Sequence, residues 1–329
     1  MSPKGQTVRL LVGVLLLVLA SLTFSTCGGA GIDLAGGGVS GTGVSTGAIA
    51  SFGSVEMNGV HYLTDSDVAP DFITHKTSHG MDNTSMMVSD LFRIGMVVTI
   101  YHGANDNNAQ QIEYQDNLQG PIAAKGANNT LTVLGQTVVV SDAAGFNIGE
   151  IVGVSGFVDS AGQIRATYIE RNTQSHHHGG EFEVKGFVSG SPSSGSFRLG
   201  PLPDWTGPTM SVSYDPSLGI VLDNGKYVQV VTTDPQPGPG GITATQIKIL
   251  TPRTVFPENA VADLEGLVTV SPSGSGNVFS FAVEGKRVQT DGATQYVGGT
   301  SVNIQPNVRL QVQGTENHGV LSAGKIIFR

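Results

Sequence analysis

The chain has 329 residues, with 17 Lys and Arg against 26 Asp and Glu, for a net charge of −9. That balance removes any electrostatic reason to bind nucleic acid or an anionic lipid surface. Charged residues make up only 13% and aromatics 6%, while glycine numbers 46; such a chain can bury cores yet turns often, which favours short strands over long helices.

Residues 1–26 have the form of a signal peptide. Lys4 and Arg9 give a basic start, Leu10 to Leu22 is an apolar run too short to span a bilayer comfortably, and FSTC follows. Cys27 is the single cysteine and cannot form an intramolecular disulfide. The segment resembles bacterial lipoprotein signals, in which the first mature residue is a cysteine carrying acyl chains. Phe24 and Thr26 depart from that pattern, standing where Leu and a smaller residue are usual. The resemblance implies lipidation at Cys27, with about 0.8 kcal/mol of anchoring per buried CH₂. Gly28 after the cysteine implies the outer membrane, facing the periplasm. Without residues 1–26 the basic count falls to 15 against 26 acidic residues, net −11.

Residues 27–46 are nearly all small and read as a Gly-rich tether. Beyond them four segments align: 47–117, 118–172, 181–252 and 260–329, with a His/Gly linker at 173–180. Each opens on Gly-x-Ile/Val, at Gly47 and Ile49, Gly120 and Ile122, Gly186 and Val188, Gly266 and Val268. Each closes on a hairpin whose first strand follows Gly95, Gly149, Gly225 or Asn307, residue types that tolerate positive φ, so one turn geometry serves all four. The second strand of that hairpin carries Ala109, Ala166, Ala244 or Ala323, each three residues before Ile112, Ile169, Ile247 or Ile326, a spacing suited to a barrel interior.

Between opening and closing lies another hairpin, clearest in TLTVL-GQ-TVVV, with Gly135 at its turn and Gly59, Gly200 and Gly285 as its counterparts. The second segment therefore has strands near 120–124, 130–134, 136–140, 151–157 and 164–170. In RLQVQ, Leu310 and Val312 face one way and the polar residues the other. SMMVSDLF in the first segment is the one plausible helical turn, and LGPLPDWTGPT interrupts the third. The expected fold class is all-β: about four tandem, small, five-stranded OB-like β-barrels after the signal peptide and tether.

GTGVSTGAIASFGSVEMNGVHY, FRIGMVVTI at Phe92 to Ile100, and LQGPIAAKGANNTLTVLGQTVVV resemble the DUF5666 domain of bacterial, often lipoprotein, sequences. The resemblance is good over 47–171 and weaker over 181–329. It implies a small OB-like barrel in the envelope and carries no catalytic residues.

Candidate chemistry is sparse. His176, His177 and His178 form the densest ligand cluster, with Glu181 or Glu183 as possible helpers. Neighbours on a strand face opposite ways, so the tract reads first as a solvated linker and only second as a weak transition-metal site. His75 and His79 have i, i+4 spacing but lie in a polar insertion; DSDVAPD lacks the Gly and Glu of a calcium loop; GTGVSTG lacks the Lys of a phosphate loop and reads as tether. No G-x-S-x-G elbow occurs, and no histidine falls beside a nucleophile in sequence. Phe279 and Phe281 alternate as core. Trp205, in a turn-rich insertion, suits stacking on a sugar or a protein contact.

These residues lead to a non-catalytic cell-envelope lipoprotein that serves as a binding or scaffolding module. It has no cofactor, its membrane contact runs through Cys27, its partners are an envelope protein or glycan, and no nucleic acid is involved. The alternatives are glycan binding through OB-like grooves and Trp205, and metal binding through His176 to His178.

Overall fold

The computed structural model describes residues 42–64, 73–76, 81–82, 91–103, 106–171, 180–193 and 195–329. The signal segment, Cys27, the DSDVAPD run, His79, the helical turn before Leu91 and the His176 to His178 tract lie outside the described residues.

Among the described residues twenty-three strands follow in four groups. The first holds β1 (Thr42–Ser51), β2 (Val55–Met57), β3 (Val60–Tyr62), β4 (Ile73–Lys76), β5 (Met81–Asp82), β6 (Val97–Gly103) and β7 (Ala109–Tyr114). The second holds β8 (Leu118–Gly126), β9 (Thr130–Val133), β10 (Gln136–Val139), β11 (Ile151–Val158) and β12 (Ile164–Arg171). The third holds β13 (Phe182–Ser193), β14 (Ser196–Gly200), β15 (Met210–Tyr214), β16 (Tyr227–Thr232) and β17 (Ile242–Leu250). The fourth holds β18 (Val261–Ser275), β19 (Val278–Val283), β20 (Lys286–Gln289), β21 (Gln295–Val297), β22 (Arg309–Asn317) and β23 (Val320–Phe328).

In the second group β8 pairs antiparallel with β9 and β11, β9 with β10, and β11 with β12, while β10 lies parallel to β12 through Val138↔Ile164. The chain thus closes a five-stranded barrel in the cyclic order first, second, third, fifth, fourth, the Greek-key order of an OB fold. The same cycle runs through β13 to β17, with β15 parallel to β17. It runs again from β18 to β23, with β20 parallel to β23. In the first group the parallel closure is the single bridge Leu63↔Asn108.

One turn geometry does recur. Gly95, Gly149, Gly225 and Asn307 have φ of 89°, 86°, 82° and 70°, as the third residue of a type II turn requires. Each donates its N–H to the residue that opens its own barrel: Gly95 to the Ile49 carbonyl, Gly149 to Ile122, Gly225 to Val188 and Asn307 to Val268, at 2.7–2.9 Å. The Gly-x-Ile/Val opening and the later glycine are two halves of one hydrogen-bonded corner. The alanine-to-isoleucine spacing has an equally local cause. Residues three apart on a regular strand face opposite sides. Each alanine, however, is followed by a register shift, as between Ser155↔Tyr168 and Gly156↔Ala166. The bulge turns both residues inward, and Ala109 and Ile112 are both fully buried.

Four departures from the sequence reading have physical reasons. Thr42 to Thr46 are not tether: they form the start of β1, lying between β6 and the parallel β18, with Val44 buried in the core. Small residues are needed because His102 and Asn58 cover this strand, and a Cβ on Gly43 or Gly47 would stand 2.2 or 2.3 Å from them. The polar face of RLQVQ is covered at its centre, where Gln311 is wholly buried against Asp263 and Asn58. Gly200 is no turn residue but ends β14 opposite Phe187. Of the two phenylalanines, Phe281 is core and Phe279 half-buried.

The glycine corners allow a direct check. Gly95→Ala and Gly149→Ala both force alanine into left-handed backbone, at about 1–2 kcal/mol each. Only Gly95 also meets backbone, its added Cβ standing 2.2 Å from the Thr167 carbonyl, whereas Gly149 meets nothing. Urea unfolding should show the Gly95 variant losing clearly more stability; equal losses would remove the claim that this corner docks on the second barrel.

Candidate functional site

In a barrel of this order the connections between second and third strands and between fourth and fifth strands share one end. Those ends face other barrels. Asn58, at the β2–β3 turn, donates to Asp263 Oδ1 of the fourth barrel at 3.0 Å and is buried. Gly135, at the β9–β10 turn, abuts Pro237 of the third barrel. Glu284, at the β19–β20 turn, accepts from the Val158 N–H of the second barrel at 3.2 Å. In the third barrel the insertion 201–209 replaces the tight turn, placing Trp205 against Gly162 of the second barrel and Pro203 against Gly285 of the fourth.

The links between barrels converge on a small recess. Its volume is about 50 Å³, and Asn117, Lys185, Tyr227, Arg253 and Glu284 line it together with Phe187. By the measure that about 10–15 Å³ holds one water, this is room for a few waters. Arg253, between the third and fourth barrels, donates to the Gly156 carbonyl at 2.7 Å and to Glu284 Oε2 at 3.0 Å. Thr46 returns a hydroxyl bond to the Arg253 carbonyl at 3.1 Å. Asn117, between the first and second barrels, accepts from the Gly156 N–H at 2.8 Å. Beside the recess Lys185 Nζ donates to Asp116 Oδ1 and, at 2.6 Å, to Glu183 Oε1. Gln229 Nε2 donates to the other Glu183 oxygen.

Burial dominates the electrostatics here. It pushes Glu183 up to about 7, against the pull of Lys185. It also raises Glu284, with Arg253 pulling the other way. For Lys185 burial works against the charge, but Asp116 and Glu183 outweigh it and hold the ammonium above the ordinary lysine range. In the seam between the first and fourth barrels burial pushes Asp263 up to about 6, opposed by hydrogen bonds from Gln313 and Gln311.

The residues singled out from sequence do not converge on this place. Trp205 is half-buried, and its indole N–H, the polar handle a sugar contact would use, donates to the Pro208 carbonyl at 2.9 Å. Glu183 is tied to Lys185 and Gln229 and faces inward, so it is no helper for the histidine tract. Ala166 and Ala244, like Ala109 and Ala323, stand in barrel walls. Among the described residues no group of three His, Cys, Asp or Glu side chains is placed to hold a metal. A serine and histidine do meet, although nothing in sequence joined them: Ser45 Oγ lies 3.1 Å from His102 Nε2, with Tyr62 donating to the same hydroxyl. Ser45 is 1% exposed, so the pair is sealed from any substrate and supports the seam. The signal for the Lys185 cluster was present in EFEVKG, where Glu181, Glu183 and Lys185 alternate with Phe182 and Val184; an alternating charged face reads as solvated until a second barrel covers it.

Two stretches, residues 119–170 and 265–327, match the family model described as Domain of unknown function (DUF5666). They coincide with the second and fourth barrels. The fourth barrel thus resembles the family more closely than its sequence alone suggested. The first and third are the ones interrupted, by the β4–β5 segment and by 201–209. No curated protein matches the chain. Among solved structures it is similar to drosophila Unr CSD456, at 15% identity over 64% of this chain and 96% of that one, with a TM-score of 0.20. It is also similar to a deletion mutant of the single-stranded DNA binding protein from Thermus aquaticus, at 13% identity over 64% and 92%, with a TM-score of 0.16. At such scores neither likeness bears on fold or function, and the barrel order rests on the strand pairings.

Asp263 supplies a pH test. Its folded pKa lies above the ordinary 3.8, so its stabilising effect is full below that value and is lost as pH rises through about 6. The melting temperature of the wild type minus that of Asp263→Asn should therefore shrink between about pH 4 and about pH 7. A difference that stays constant or grows would contradict the burial of this carboxyl.

Proposed function

We propose that the protein is a non-catalytic cell-envelope lipoprotein, anchored through acylated Cys27, whose joined barrels form a binding or scaffolding body for an envelope protein. The reading assigns it no cofactor and no nucleic-acid ligand. The observation that carries it is a repeated exposure. The four most exposed large aliphatic side chains among the described residues are Ile94, Ile148, Val221 and Val302, at 59%, 67%, 78% and 76%. Each lies in the connection between third and fourth strands of a different barrel. Single exposed aliphatics need no explanation, but recurrence at one topological position in four barrels supports a contact surface. The opposite barrel ends are occupied by one another; at these ends Gly95 and Asn307 also touch the second barrel, but the four aliphatic tips themselves stay exposed to a partner.

The test is cross-linking in intact cells of the tagged full-length protein. Cys27→Ser serves as the mislocalised control, and a variant with serine at Ile94, Ile148, Val221 and Val302 tests the surface. A specific envelope protein should co-purify with the wild type and be lost from both. Equal recovery from all three would sink the reading.

A further inference from the structure

The Lys185 cluster goes beyond what an architectural seam requires. Two carboxylates flank one ammonium, and the three side chains are 0%, 6% and 2% exposed for Lys185, Asp116 and Glu183. Asp116 belongs to the segment joining the first and second barrels, and Lys185 and Glu183 lie on β13 of the third. Lys185 Nζ touches Asp116 Oδ1, and Glu183 Oε1 lies 2.6 Å from the same nitrogen, so both carboxylates converge on one ammonium. Gln229 fixes the far oxygen of Glu183. The rings of Phe187 and Tyr227, with centroids 4.8 Å apart, line the recess alongside Lys185.

We infer that Lys185 and Asp116 condense into an intramolecular isopeptide bond, with Glu183 as the proton carrier. In this step the Glu183 carboxylate takes a proton from the Lys185 ammonium, freeing the nitrogen lone pair. Nζ then attacks Asp116 Cγ. The Nζ–Cγ bond forms and one Cγ–O bond breaks. Two of the three ammonium protons leave with that oxygen as water, and the third stays on the amide nitrogen. Ion pair goes to amide plus water, with no oxidant or co-reactant.

Three features favour the step. Holding amine and carboxyl in contact replaces a bimolecular encounter, a gain that reaches effective molarities of about 10⁵–10⁸ M in well-oriented cases. Exclusion of bulk water disfavours the reverse hydrolysis, and the adjoining recess can receive the one water released. Burial holds the Glu183 carboxyl near neutrality, so it can both take and return a proton. The other buried lysine pair, Lys286 with Glu316 at 2.7 Å, shows no second carboxylate among its contacts in the described residues and serves as an internal control.

The experiment is a tryptic map of the purified, denatured protein. Trypsin does not cut after an acylated lysine, so the wild type should give peptides 94–125 and 172–198 joined, lighter by one water than their sum, with ordinary cleavage after Lys286. Asp116→Ala and Glu183→Gln should each restore cleavage after Lys185, and because the digest is read on denatured chains this holds whether or not a variant folds. Free 94–125 together with cleavage after Lys185 in the wild type would overturn the bond. A joined product persisting in Glu183→Gln would overturn the mechanism.

Discussion

The structure depends on the occupation of one end of each barrel by its neighbours, and the Arg253–Glu284 pair stands at the middle of that arrangement. A five-stranded barrel of this size encloses little apolar volume and is marginal alone. Docking the β19–β20 turn against Val158 and Arg253, and the 201–209 insertion against Gly162 and Gly285, extends each core across the boundary. Arg253 satisfies a carbonyl of the second barrel and a carboxylate of the fourth at once. Leaving either partner behind would strand a buried charge, for which about 3–5 kcal/mol is usual.

This docking decides where function can reside. OB barrels commonly bind ligands over strands two and three and the loops beside them. Here the turns joining those strands are covered by other barrels. What remains outward are the aliphatic tips of the opposite connections, at Ile94, Ile148, Val221 and Val302. Under the proposed function, a body with fixed spacing between such tips would hold a partner as one unit and not through four separate domains.

Much of the barrel was legible in the sequence because its rules are local. The strands of the second barrel lie within two residues of the expected bounds, since β-branched runs broken by glycine turns leave few alternatives. Gly95, Gly149, Gly225 and Asn307 were readable because positive φ restricts residue choice. The paired alanine and isoleucine were visible as a spacing, though not as the bulge that causes it. What was hidden comes from contacts between barrels. Thr42 to Thr46 looked like tether because a strand covered by His102 and Asn58 must itself be made of small residues. The burial of Gln311 and Lys185 was not legible, because alternation gives the face of a side chain and not what covers that face. Trp205 looked free because the glycines it packs on, Gly162 and Gly200, carry no apolar signal.

Scanning calorimetry of the protein without residues 1–26 tests most directly whether the barrels form one body. The account predicts a single transition whose calorimetric and van't Hoff enthalpies agree, as for one cooperative unit. Separate transitions, or a calorimetric enthalpy several times the van't Hoff value, would show barrels that fold independently and would contradict it.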